Sequence, residues 1–313
     1  MMISGCFHAD TAFLEVLFIP PMRFLTPLLL SFALLATVLP LQAQDGDVAL
    51  RTALENAYKN WRQAMIRKDP EAWASSITRY RQTVMRNSVV SERSAFPAAV
   101  FASGVQPPPL DGLRLLEAQA VGDTAHLVYF GKIDLGQDRE LVRDDVLKLK
   151  FLRENGMWKF DSNRITSMAN APDVRQALLE GKRPEFLETP EFTPPGIAPV
   201  VPPLCRVPDH KAGYKIQSFG YETKVSMNGF DYDPVGDGME QQMIIGGLAN
   251  GHNEITLQIQ PIAELPKGEK ASLQIRVYLL SNDPEKPGKE VLRWQAPDNG
   301  APAKITLPIE ISR

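Results

Sequence analysis

Three groups of side chains have the types and spacing that could support chemistry. The first is the run Asp231-Tyr232-Asp233-Pro234-Val235-Gly236-Asp237-Gly238, because closely spaced carboxylate oxygens are what calcium takes as ligands. A helix-flanked calcium loop needs an oxygen donor at its fifth position and an acidic residue at its twelfth. Val235 and Gln242 stand there instead, and the flanks read as strands. A solvated hairpin loop is the simpler expectation: no metal is expected, and Asp231, Asp233 and Asp237 are retained only as weak calcium candidates. The second is His126, whose ordinary pKa lets an imidazole exchange protons near neutral pH. Alternation in Thr124-Ala125-His126-Leu127-Val128-Tyr129-Phe130 places His126 with Val128 and Phe130, and Leu127 with Tyr129 on the other face. No carboxylate is fixed beside His126 by spacing, so an ordinary satisfied histidine is the bland alternative. The third is the aromatic set Tyr221, Phe230, Tyr232 and Trp294, whose faces could stack on sugars, although core packing explains them equally well.

Other chemistries lack support. His210 and His252 have no second ligand at zinc spacing. No nucleophile elbow, phosphate loop or dinucleotide fingerprint is present, so no cofactor is expected.

These residues need elements to hold them. From Asp47 to Arg67 the apolar positions Leu50, Leu54, Ala57, Tyr58, Trp61, Ala64 and Met65 recur at three and four residues, which predicts an amphipathic helix. Asp69-Pro70 reads as an N-cap and first helical residue. A third helical stretch follows from Tyr80 to Val90, and Pro107-Pro108-Pro109 ends helix altogether. Beyond it the period changes to two, giving strands over Leu113–Ala120, Thr124–Ile133, Leu141–Arg153 and Met157–Ile165. Asn155-Gly156 is the clearest hairpin turn, since both residues tolerate positive φ. The third strand places Val146, Lys148 and Lys150 opposite Leu147, Leu149 and Phe151.

The opening helix with Trp61, the junction Lys68-Asp69-Pro70-Glu71-Ala72-Trp73 and the closing hairpin Phe151–Phe160 resemble the nuclear transport factor 2-like family, the cone fold shared by ketosteroid isomerase and polyketide cyclases. The resemblance covers residues 46–168. It implies an α+β domain with helices on a curved antiparallel sheet around an apolar pocket, where acid-base members place Asp, His or Tyr. The polar groups available here are Tyr58, His126, Tyr129, Asp144, Asp145 and Asp161. His126, Tyr129 and Asp161 are the weak catalytic candidates, and Tyr58, Trp61, His126 and Tyr129 the ligand-binding ones.

Residues 169–208 read as a linker: a short helical patch over Asp173–Glu180, then prolines from Pro190 to Pro208 with few core residues, expected to form a semi-rigid spacer. Residues 209–313 carry seven strand candidates, at Tyr214–Phe219, Glu222–Phe230, Gln241–Leu248, Glu254–Ile262, Ala271–Leu280, Glu290–Gln295 and Ala303–Ile311. That spacing predicts an all-β sandwich domain.

Met22-Arg23, the apolar stretch Phe24–Leu39 and Pro40-Leu41-Gln42-Ala43 have the order of a secretory signal. Translation is expected to start at Met22, with cleavage after Ala43 and a periplasmic or extracellular mature chain from residue 44. The membrane is then met only through the signal. Removing Asp10, Glu15 and Arg23 turns 34 basic and 37 acidic residues into 33 and 35, a near-neutral balance that gives no reason to expect nucleic acid as a partner. Cys6 lies in the removed part, which leaves Cys205 as the single thiol, expected as an apolar filler and without an internal disulfide. The expected function is that of an exported non-enzymatic binding or assembly protein taking a small apolar ligand or a partner protein. The alternatives are a cyclase- or isomerase-type enzyme using the same pocket, and a glycan-binding accessory protein.

Overall fold

A computed structural model describes residues 41–102, 104–136, 142–262, 270–281, 283 and 286–312. Cys6 and the apolar export stretch lie outside the described residues. Helix α1 (Leu41–Arg67) buries the predicted stripe of Leu54, Tyr58, Trp61 and Ala64. After Lys68, helix α2 (Pro70–Ser76) opens as its sequence predicts: the Asp69 carboxylate accepts from the Glu71 and Ala72 amides at 3.1 and 3.0 Å, with Pro70 in the first turn. Helix α3 (Arg79–Ser91) is capped by Thr78, whose hydroxyl accepts from the Arg81 amide. These caps satisfy amide groups that the helix cannot pair internally.

Strands β1 (Arg114–Val121), β2 (Thr124–Ile133), β3 (Arg143–Glu154) and β4 (Met157–Thr166) form an antiparallel meander in chain order. One face carries Leu127, Tyr129, Leu147, Leu149 and Phe151 against the helices. The opposite face carries Val128, Phe130 and Val146, and the expected linker covers it. Here the chain differs from the expected spacer. Helix α4 (Pro172–Leu179) and the turns after it bury Leu178, Leu187 and Phe192, because an apolar outer sheet face has to be removed from water. Residues 190–205 then run on as a strap. Gly196 anchors it to the β1–β2 turn: its amide donates to Thr124 Oγ1 at 2.9 Å and its carbonyl accepts from the Asp123 amide at 3.0 Å.

The second antiparallel sheet contains β5 (Ala212–Met227), β6 (Phe230–Asp231), β7 (Val235–Met243), β8 (Gly251–Pro261), β9 (Ser272–Leu279), β10 (Lys289–Gln295) and β11 (Lys304–Ile311), in the order β10-β9-β5-β8-β11 with β6 and β7 on β5. Its first two predicted strands are one. Strand β5 runs through both and bends at an irregularity between Ser218 and Glu222, where Gly220 has φ 73°. The first half of β5 pairs with β9 and the second half with β8, so the sheet curls around Tyr214, Ile216, Val225, Leu257, Ile275 and Ile309. It is nearly closed, with β10 approaching β11. Strand β7 begins at Val235, several residues earlier than predicted, and uses the second half of the acidic run.

The fold is thus α+β with antiparallel sheets. Residues 42–313 form one compact unit. The junction between its two sheets is polar and specific. Asn87 on α3 donates to the Pro203 carbonyl at 2.8 Å and accepts from the Cys205 amide at 2.9 Å, while Ser91 Oγ accepts from the Gly246 amide at 2.8 Å. Cys205 is buried there as a free thiol, packed as a small filler.

Candidate functional site

The helix-covered face, where the resemblance places a pocket, is filled by aromatic rings. Trp61 and Phe160 lie 4.0 Å apart between centroids, Tyr58 and Phe160 5.4 Å, and Phe151 and Phe160 6.0 Å. The Tyr58 hydroxyl donates to the Pro108 carbonyl at 2.7 Å and the Tyr129 hydroxyl to Glu55 Oε1 at 2.7 Å. Burial pushes both phenols up, so neither releases a proton near neutral pH. Three of the four ligand-binding candidates, Tyr58, Trp61 and Tyr129, therefore sit in packed core. His126 is separated from them by the thickness of the sheet.

His126 shares a face with Val128 and Phe130 as its alternation predicts, and that face is the outer one, beside a cleft of about 490 Å³ between the sheet and the proline strap. Strand β2 contributes His126, β3 contributes Lys148 and Lys150, the start of α3 contributes Arg81, and Glu191 with Pro194 closes the strap side. His126 Nε2 is 2.9 Å from Glu117 Oε2 on β1. Burial holds the imidazole below its ordinary pKa, partly opposed by Glu117. The ring is therefore neutral at pH 7, with Nε2–H donating to the carboxylate, which leaves Nδ1 as an acceptor. Nδ1 is buried and has no partner among the described residues.

A carboxylate orienting an imidazole whose other nitrogen is free is the arrangement of a general base. Its free nitrogen, however, is closed to solvent here. Lys148 is also buried. Its ammonium donates to the Glu191 carbonyl and lies 4.8 Å from the Phe192 ring centre. Desolvation, reinforced by Lys150, pushes its pKa down to about 8. The cleft thus gathers cationic groups and an unmatched acceptor under a strap.

Asp161, the other catalytic candidate, reaches the cleft edge but is saturated. Thr78 donates to Oδ1 at 2.8 Å, and Arg81 and Ser162 donate to Oδ2 at 3.1 and 2.9 Å. It joins α3 to β4 where the β3–β4 register shifts. Asp144 pairs with Arg175, and Asp145 accepts from the Met168 amide.

The three calcium candidates do not converge. Asp231 pairs with Lys224 at 2.6 Å, Asp237 accepts weakly from the Gly220 amide at 3.3 Å, and Asp233 is exposed. Among the described residues no cluster of three His, Cys, Asp or Glu could hold a metal. The four aromatics of the second sheet are buried or half-buried, with the Tyr232 and Tyr221 hydroxyls accepting from the Ile245 and Ala301 amides.

Sequence reasoning missed Glu117, Lys148 and Lys150 as companions of His126. The signal for the lysines was their alternation: they share the outward parity of β3, and the observed register places Lys150 across from His126. Glu117 gave none, since it reaches His126 through an irregularity between Leu115 and Glu117. Compared with known proteins, the chain matches no family model, no curated protein and no solved structure.

Proposed function

We propose that this is an exported, non-catalytic binding protein whose small ligand is held in the cleft beneath the proline strap. The observation that carries this reading is the contrast between the two faces of the first sheet. The helix side is filled by Tyr58, Trp61, Phe151 and Phe160, whereas the strap side keeps an open cleft lined by His126, Lys148 and Lys150. Cavities with a few convergent polar groups are where ligands bind. The helices followed by a four-stranded meander support assigning residues 46–168 to the nuclear transport factor 2-like cone, and the apolar stretch after Met22 supports export. On this reading the ligand site lies on the sheet face away from the family's pocket.

A cyclase- or isomerase-type enzyme is the second reading, favoured by the Glu117–His126 pair alone. One experiment tests both. Protein with ¹⁵N-labelled histidine is titrated with a chemically mixed set of small molecules, and the His126 ring signals are followed. Saturable shifts at His126, absent in a His126→Ala variant, are expected for the binding reading. A compound that is instead converted with time, dependent on His126, favours the enzyme. No shift at His126 with any member of the set overturns the cleft reading.

A further inference from the structure

The outward face of the first sheet carries more positive charge than its acids balance. Lys150 stands across from His126 on one side and Ser162 on the other, and Lys148 stands across from Val128 and Arg164. Directly opposed residues on one sheet face lie about 5 Å apart and diagonal ones about 7–8 Å, so three cations share a small patch. The nearby acids are already engaged. Glu191 pairs with Arg164 at 2.7 Å, Glu117 with His126 and Arg183, and Asp161 with Arg81. Among the described residues Lys148 directly contacts only a carbonyl and a ring face, and the Glu191 and Glu117 carboxylates act on it only through space, outweighed by burial and Lys150. Lys150 is exposed and has no ion-pair partner among the described residues.

Like charges close together on a sheet face are destabilising, and a buried cation without a direct ion pair more so. His126 Nδ1, buried and unpartnered among the described residues, is an acceptor while the ring is neutral and becomes a donor to an anion's oxygen only when the ring is protonated.

We propose that the cleft binds a small oxyanion, a carboxylate or a phosphate, seated against Lys148 and Lys150 and bordered by His126. This rests on the cleft reading above and names its ligand class. The prolines of the strap give the cleft an apolar wall, and the ammonium groups supply charge-assisted hydrogen bonds to the anion's oxygens. The groups facing Lys148 and His126 are Glu117 from β1, Lys150 from β3, Arg164 and Asp161 from β4, Arg81 from α3 and Glu191 from the strap. An added negative charge favours the protonated forms of both Lys148 and His126, so binding takes up protons where these groups are partly neutral.

The test titrates histidine-labelled protein with sodium phosphate and with sodium glucuronate, using glucose and sodium chloride as the neutral and ionic-strength controls. At least one of the two oxyanions is expected to shift His126 saturably, and which one does so distinguishes phosphate from carboxylate. Lys150→Gln is expected to weaken that binding about tenfold, the loss of one charge-assisted contact. Lys289→Gln, an exposed lysine on β10, should leave it unchanged. Calorimetry near pH 8 in buffers of different ionisation heat is expected to show proton uptake. Equal binding by Lys150→Gln, no proton uptake, or glucose binding as tightly as glucuronate would each overturn the proposal. If neither anion shifts His126 more than chloride does, while another compound in the mixed set does, the anion proposal fails and the cleft reading stands. Silence at His126 throughout removes both.

Discussion

Lys148 is the residue at which stability and a binding role conflict. Its amine is held at about pKa 8, below the ordinary 10.5 or so of a lysine, so between those values the unfolded chain holds more protons than the folded one. Stability therefore rises as pH goes from about 8 to 10.5, and below that window the charge-burial penalty is present in full. Lys148→Met is expected to raise unfolding free energy at pH 7 by about 1–2 kcal/mol, after allowing for loss of the bond to the Glu191 carbonyl. It should also flatten the pH dependence between 8 and 10.5. Urea unfolding at pH 7 and pH 10 checks both points, and a destabilised variant would show that the bond outweighs the penalty. At this scale the sequence was informative about direction and poor about company. The period-2 alternation of residues 124–130 grouped His126 with Val128 and Phe130 without saying which face is the outer one, and the groups around it come from β1, β3, α3 and the strap, which only a register can bring together. The acidic run shows the converse: Asp231, Asp233 and Asp237 are close in sequence, yet the start of β7 at Val235 draws them apart.

At the scale of elements, the strap depends on a close backbone approach. Gly122, with φ 53°, sits so near the strap that a Cβ there would meet the Gly196 carbonyl oxygen at 2.3 Å. Gly122→Ala is expected to lift residues 193–199 from the β1–β2 turn, break the Asp123–Gly196 and Thr124–Gly196 hydrogen bonds and cost about 2–3 kcal/mol. Limited proteolysis should then cut the wild type more slowly than the variant within the strap; equal rates would mean that the anchor contributes nothing. The helices and the first meander were legible because each announces itself locally, through the α1 apolar stripe, the Asp69-Pro70 cap and the Asn155-Gly156 turn. The strap was misread as a spacer because its prolines signal extended chain without indicating what it lies on. Its need for a surface is written elsewhere, in Val128, Phe130 and Val146. The joined β5 was missed for a similar reason: Gly220 and Tyr221 fall between the two expected strands, and only pairing on both sides carries the strand through the bend.

For the whole molecule, the contacts of α3 with residues 203–205 and Gly246 tie the two sheets together. Asn87 is central to them, and its buried amide meets the strap with both its donor and its acceptor. Calorimetric melting is expected to give a single transition for the wild-type protein. Asn87→Ala, at a cost of about 2 kcal/mol from the backbone groups it leaves unpaired, should separate the melting of the two sheets into resolvable steps. Two transitions already present in the wild type would refute that coupling.

The pairing order also sets a timetable for folding. The first sheet joins neighbours in sequence, so its strands can associate soon after they emerge from the ribosome. Strand β5 can pair early with its neighbours β6 and β7, but its other partners, β8 and β9, lie tens of residues further on, and contacts that distant form slowly. Until residues 172–205 have emerged, the outer face of the first sheet has nothing to cover it, so the young chain passes through an interval in which a finished meander displays Val128, Phe130 and Val146. A chaperone holding the chain would have its natural target there, on a surface that the completed protein conceals.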